Sequence, residues 1–448
     1  MLKALGAYLA GVLVIGVFVA LVMTRETETE QTEAETAARE EAAQPRPLPA
    51  DITPAAEIAR RVQEIRGREF RGGAPAVEVV PEAELEKQLA ALDREGARRS
   101  GPRAEDEEQL ATATTLLLAH ADALPREQLA RPFPRHGGRG VLGAYLPGER
   151  KVVVSRELAE DEPEVAELVV AQELSRALDV APGDVAPRVP RLFHDAEAAL
   201  LAVQAGAAGA VEAEYAERHL GREPSPAESD VQLAREARDD PATPPLLQTL
   251  STFPAEAGTA FVAGVIDEGG WRGVDDVLGE PPTTTAELLH PRAEDVPAPD
   301  FNPRGTLGSD WKPLATADVG ELDTLALLRD GLGEDAAERA AAGWRAGRMQ
   351  VWTRGRQAQR SGGCPPPCRR DATSILVWRW ADEDAALAFQ RAMRRAIEEG
   401  TAATPEGGRG WRIDDGGAAL VRAGRFTALA YAPTAPLAGE LATAVLEG

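Results

Sequence analysis

The chain has 448 residues, 44% of them hydrophobic, and a formal net charge of −24. That length supports a sizeable core divided between two globular units. The acidity excludes nucleic acid as a partner, because phosphate binding takes clustered Lys and Arg, and it weakens attraction to anionic lipid.

The first residues, MLKALGAYLAGVLVIGVFVALVM, carry no charge from Ala4 to Met23. Twenty apolar residues at about 1.5 Å rise cross a hydrocarbon core of about 30 Å. Lys3 precedes the stretch. Arg25 and the acidic run Glu26, Glu28, Glu30, Glu33 and Glu35 follow it, which favours the N-terminus inside and the body outside. A cleaved signal peptide is the rival reading, but its apolar region is normally shorter and ends in small residues at a cleavage site. Residues 1–24 are therefore read as a transmembrane anchor or signal, the chain's contact with the membrane. Residues 25–50 are acidic, poor in large apolar residues and end in prolines. They bury too little to offset their ordering entropy and read as a stalk.

In AAEIARRVQEIRG (55–67), Ile58, Val62 and Ile65 recur at helical spacing. AVEVV (76–80) predicts a strand and PEAELEKQLAAL a helix opened by Pro81. A third helix is predicted over 105–123. GVLGAYLPGERKVVVS (140–155) predicts a hairpin turning at Pro147-Gly148. EDEP then starts a helix, with Asp161 as its cap and Pro163 in its first turn. Val165, Leu168, Val169 and Leu178 give it a core stripe. An Ala-rich helix is expected over 193–220, and another over 254–278 stopped at Gly269-Gly270. Proline-rich residues 292–304 mark a boundary. Beyond it, RMQVWTRGR, SILVWRWA, WRIDD, AALVRAG and FTALAYAP read as strands. DEDAALAFQRAMRRAIEEG and APLAGELATAVLE read as helices. Strands alternating with helices in this way suggest a small α+β sandwich.

The helix after EDEP contains VAQELSRALD (170–179). It has the outline of the zinc-peptidase motif H-E-x-x-H, whose two His side chains share one helix face and whose Glu activates the zinc-bound water. Here Gln172 and Arg176 stand at the two His positions, and Glu173 keeps the glutamate.

At these residues the chain resembles an uncharacterised family of exported bacterial and archaeal surface proteins, similar to glutamate-type zincin metallopeptidases, whose shared helix reads approximately AHELTHALQD. GVLGAYLPGERKVVV is similar to the family's hairpin before that helix. FVAGVIDEGGWRGVDDVLGEPPTTTAELLHP is similar to its FV…GGW…PPxSTEQILHP segment, and ELDTLALLRDGL through ILVWRWADEDAALAF to its C-terminal region. The resemblance implies an α+β fold: a mostly helical zincin-like domain with a small sheet over 51–304, and a C-terminal α+β domain over 305–448. It implies that the first zinc-binding His falls on Gln172, the general base on Glu173, the second His on Arg176 and the third ligand on Ala205. All three ligand positions are thus degenerate, since a neutral amide is a poor zinc ligand, a guanidinium is always charged and alanine has no donor.

Losing the metal strands Glu173 as a buried anion, which is costly. Arg176, one turn on, is a candidate ion-pair partner that takes the metal's place. The alternative is that both are solvated on an open groove. Among the five histidines, His194 with Glu197 is the one candidate pair for a zinc site with non-standard ligands, and His290 reads as structural. Glu173 with Glu197 or Glu212 as a glycosidase pair has little specificity in so acidic a chain. Cys364 and Cys368 flank three prolines. An extracytoplasmic location favours a disulfide between them. An extended run would hold their Cα atoms about 12 Å apart, beyond the roughly 7 Å limit, so the loop must then turn. Two exposed thiols and a two-thiolate metal site are the alternatives.

The expectation from these readings is a membrane-anchored, extracytoplasmic pseudo-metallopeptidase. It would use no cofactor and hold a peptide or protein partner in the old groove. An active zinc peptidase and a purely structural envelope protein are the alternatives.

Overall fold

The computed structural model describes residues 44–98, 104–124, 129, 141–180, 189–222, 243–290, 296–329, 331–354, 369–400, 403–408, 410–414 and 416–447. The apolar stretch 4–23, the stalk up to residue 43, His136 and the loop with Cys364 and Cys368 lie outside the described residues. Among those described, no helix is long and apolar enough to cross a membrane.

Ile58, Val62 and Ile65 are buried on one face of α1 (Ala55–Arg66), as their spacing requires. β1 (Ala76–Val80), β2 (Gly143–Leu146) and β3 (Lys151–Ser155) form a small mixed sheet in the order β1-β3-β2. β1 runs parallel to β3, and β2 pairs with it antiparallel as the expected hairpin. α2 (Glu82–Arg98) buries Leu85 and Leu89 against this sheet. α3 (Ala104–Ala121) packs elsewhere, on the C-terminal sheet.

The helix expected to start at an Asp161 cap instead follows a short helix, α4 (Arg156–Asp161). Ser155 caps α4 by accepting the Leu158 N–H, so Asp161 becomes its last residue. The main helix, α5 (Pro163–Asp179), then takes Glu162 at its N-cap position, without a side-chain cap bond, and Pro163 at N1. Every residue from Val165 to Ser175 is buried. α1, the hairpin and α6 (Asp195–Tyr215) all pack on α5, so it is the centre of this part of the molecule.

α6 runs on into a π turn (Ala216–Leu220) and packs along α7 (Pro245–Gly279). The two helices touch backbone to backbone. A Cβ on Gly206 would collide with the Gly258 carbonyl, and one on Gly258 with the Ala202 carbonyl. α7 begins earlier than expected and carries Pro254 inside it, a residue without an N–H to bond the preceding turn. It breaks at the expected Gly pair, where Gly270 sits at φ 62.

After α8 (Thr285–Leu289) and α9 (Arg304–Leu307), the C-terminal part is one seven-stranded antiparallel sheet in the order β4-β5-β6-β10-β9-β8-β7. The strands are β4 (Trp311–Asp318), β5 (Trp344–Arg354), β6 (Ala372–Trp380), β7 (Thr404–Glu406), β8 (Gly410–Ile413), β9 (Gly416–Ala423) and β10 (Phe426–Ala432). Successive side chains alternate between the two faces. Ile375, Val377 and Ala430 meet α13 (Ala435–Glu447), while Leu376, Trp378 and Leu429 face α10 (Glu321–Arg329), α12 (Glu383–Gly400) and α3. α11 (Glu334–Ala341) bridges α10 and α12. Burial on both faces explains why β6 reads as a continuous apolar run. The chain is thus α+β throughout, and its sheet is covered by helices on both faces.

α3 joins the two parts. Its His120 is buried, stacks on Tyr431 of β10 at 5.8 Å and lies 3.1 Å from Ser374 Oγ and 3.2 Å from the Arg369 carbonyl. Burial lowers its pKa to about 4, so the ring is neutral, with Nε2 donating to the carbonyl and Nδ1 accepting from the hydroxyl. One apolar core runs from Leu117, Val203 and Phe253 into the sheet at Leu376 and Trp378, across the boundary expected at 304/305.

Candidate functional site

α5 presents Glu173 to the hairpin. The residue is 1% exposed, Oε2 accepts the Tyr145 N–H at 2.7 Å, and Oε1 lies 3.3 Å from Arg176 Nε. The Arg176 side chain is 12% exposed. Glu173 and Arg176 are therefore together, and neither stands in an open, solvated groove. Gln172 is buried beside them, and Ala205 is buried on α6, the helix that packs along α5. Tyr145 lies on β2, the outer strand of its sheet, and its side of the contact is a backbone N–H, which leaves no mark in the sequence.

The residues that the resemblance assigns to zinc-ligand positions do not fit a zinc ion. Ala205 has no donor atom, Arg176 is a cation held against the general-base position, and one oxygen of Glu173 is already bonded to β2. Among the described residues, no group of three or more His, Cys, Asp or Glu side chains is arranged to hold a metal ion.

His194 and Glu197 are engaged elsewhere. His194 contacts the Leu192 carbonyl at 2.9 Å and Glu107 at 3.3 Å. Arg191 bonds Glu197 and Glu107, each at 2.6 Å. Burial raises the pKa of Glu107, but Arg191 and His194 outweigh it and hold the carboxyl below its ordinary value. Of the other acids considered, Glu212 is buried on α6. His219 leans on the Tyr215 ring at 4.9 Å.

α5 carries two further buried carboxylates, each with a guanidinium partner. Glu167 accepts from the Tyr215 hydroxyl at 2.6 Å and the Thr53 N–H at 3.1 Å, with Arg61 at 3.3 Å. Asp179, whose side chain is fully buried, bonds Arg66 at 2.8 and 2.9 Å and Arg68 at 3.1 Å. The same two arginines reach Asp275, and Arg66 lies over the Trp271 ring at 4.9 Å. Asp179 closes the quoted motif and Arg66 is the last residue of α1. Only their long-range meeting gives them a role, so sequence spacing held no signal for it.

A different acid cluster sits where α6, α8 and α10 meet. Asp195 accepts the Thr285 hydroxyl at 2.6 Å and the Thr285 N–H at 3.2 Å. Asp323 accepts the backbone N–H groups of Phe193 and Gly320, both at 2.8 Å. His290 contacts Glu321 at 3.0 Å. Burial raises Asp195 to about 6. Burial and the nearby Asp195 carboxylate raise Asp323 to about 8. Burial also raises Glu321, whose contact raises His290. The stretch ending at His290 and the stretch ELDTLALL (321–328) build this junction.

Residues 312–442 match a family described as a domain of unknown function (DUF8575), so the similarity begins in β4, ends in α13 and leaves α5 outside it. No curated protein and no solved structure gives a significant match. What the comparisons establish for this chain is similarity to that domain family over its C-terminal sheet.

Proposed function

We propose that the chain is a membrane-anchored, extracytoplasmic pseudo-metallopeptidase: a zincin-like scaffold with a structural or binding role in the cell envelope and no zinc chemistry at α5. The observation that carries this reading is the state of Glu173. At a working general-base position a carboxylate must reach a metal-bound water. Here it is 1% exposed and ties α5 to the β2 backbone, with Arg176 supplying the positive charge.

The structural role is favoured over peptide capture in the groove. A peptide adding to the outer edge of β2 would need its free N–H groups, and Glu173 already takes that of Tyr145. The anchor rests on the uncharged stretch from Ala4 to Met23.

Metal analysis tests the reading. The full-length protein, purified without chelators, is expected to hold no stoichiometric zinc. The triple variant Gln172→His, Arg176→His, Ala205→Glu is expected to gain about one zinc per chain, since it restores three donors on a zincin scaffold. One zinc in the natural protein would sink the proposal and favour an active peptidase with non-standard ligands. No zinc in a folded triple variant would remove the zincin scaffold.

A further inference from the structure

Where the hairpin, the end of α5 and the loop after α1 come together lies a recess of about 110 Å³. Its wall comes from the loop between α1 and β1 (Arg68, Arg71), the hairpin (Tyr145, Arg150) and the end of α5 (Asp179). We propose that this recess is a binding site for a dianionic oxyanion of the phosphate class, a site that does not depend on the pseudo-peptidase reading.

Charge is the first argument. The charged side chains that line the recess are three guanidinium groups, Arg68, Arg71 and Arg150, and one carboxylate, Asp179. Three minus one leaves two positive charges, gathered in one place on a chain of net charge −24. Both Asp179 oxygens are already taken by Arg66 and Arg68, so the acid does not meet the surplus. A dianion does, and a concave wall of one sign concentrates such a ligand. Guanidinium forks match the paired oxygens of phosphate.

The second argument is that Arg150 is held in place at a cost. It sits at φ 51, a left-handed conformation unfavourable for a residue with a Cβ. Its Nη2 donates to the Arg71 carbonyl at 2.8 Å and the Gly73 carbonyl at 2.9 Å. Gly72, at φ 77, lies so close that a Cβ there would come within 2.7 Å of Arg150 Nη1. The loop is shaped around this guanidinium, and strain of this kind collects at binding sites. The Arg71 guanidinium makes no hydrogen bond or ion pair among the described residues, so it is available to a ligand.

Isothermal titration of the full-length protein at fixed ionic strength, with chloride as the balancing ion, tests the site. Orthophosphate is expected to bind saturably at about one per chain, and sodium acetate at least tenfold more weakly. Arg71→Gln should weaken phosphate binding about tenfold, the loss of one charge-assisted contact, and leave the phosphate-free unfolding temperature unchanged. Arg150→Lys keeps the charge but loses the fork, and should also weaken binding. Arg412→Gln, an exposed side chain on β8, should not. Phenyl phosphate distinguishes the sources: tighter binding than orthophosphate assigns the site to a phosphate ester, weaker binding to the free ion. Unsaturable uptake, equal affinity for acetate, or Arg412→Gln acting as strongly as Arg71→Gln would each overturn the proposal.

Discussion

The helix α5 and the junction of α6, α8 and α10 both bury carboxylates, but they neutralise them in different ways. On α5, Glu167, Glu173 and Asp179 each have a guanidinium within 3.3 Å. At the junction, Asp195 and Asp323 are held by a hydroxyl and backbone N–H groups. A fixed cation offsets part of the cost of burial, although burial still raises the pKa of Asp179. At the junction N–H and O–H donors leave much of that cost in place, and the proton is retained to higher pH. The α5 region is therefore tied by ion pairs and the junction by neutral donors.

Breaking the α5 tie at its deepest point has the largest expected effect. Arg66→Met leaves Asp179 buried beside Arg68 alone, and should cost about 3–5 kcal/mol in urea unfolding. A cost below about 1 kcal/mol would mean that Arg66 contributes little beyond packing.

The junction is tested by pH. Folded Asp195 loses its proton near 6 and folded Asp323 near 8, whereas an unfolded Asp does so near 4. Between these values the folded state holds more protons, so stability falls as pH rises from about 4 to about 8. The slope is at most about 1.4 kcal/mol per pH unit for each group. His290, raised by Glu321, contributes in the same direction, with stability present at low pH and lost above its raised pKa. Asp323→Asn should flatten the upper part of the profile. The partly buried cluster of Glu107, Arg191 and His194 has the opposite sign, because Arg191 and His194 lower Glu107 and its contribution is lost on acidification. An Asp323→Asn profile that matches the natural one would remove the distinction between the two regions.

Arg176→Met should cost about 1–3 kcal/mol by leaving Glu173 with a backbone partner only. Adding Glu173→Gln should recover part of that loss, a coupling that a double-mutant cycle reads directly. Additive losses would mean that the two charges do not interact. The smallest effect belongs to α8. Thr284 forms a capping box with Glu287, and Thr284→Ala should lower thermal stability by about 1 kcal/mol. It should leave the pH slope intact, because the cap touches neither Asp195 nor Asp323.

Much of the fold was legible because burial leaves a period. Ile58, Val62 and Ile65 marked α1, the turn at Pro147-Gly148 marked the hairpin, and Gly269-Gly270 marked the break in α7. β4, with Pro313 and a bulge, carried too weak an alternation to be read. α10 and α11 were missed because the segment 321–341 gives only a short apolar repeat between polar residues. At the candidate site, the proximity of Glu173 and Arg176 follows from helical spacing alone. The burial of the pair does not, and neither does its bond to Tyr145, since a backbone N–H has the same chemistry at almost every position.

The sequence by itself determined the longer helices and most strands, the acidity, the residue types at Gln172, Arg176 and Ala205, and the uncharged stretch near the N-terminus. These are local properties of composition and period. Only the tertiary structure decided that α3 packs on the distant strands β4, β6 and β10, that Arg66 meets Asp179, and that Asp195 and Asp323 share one buried junction. It also decided that Arg68, Arg71 and Arg150 surround one recess. Such meetings depend on which surfaces bury each other, a choice made by the whole chain at once.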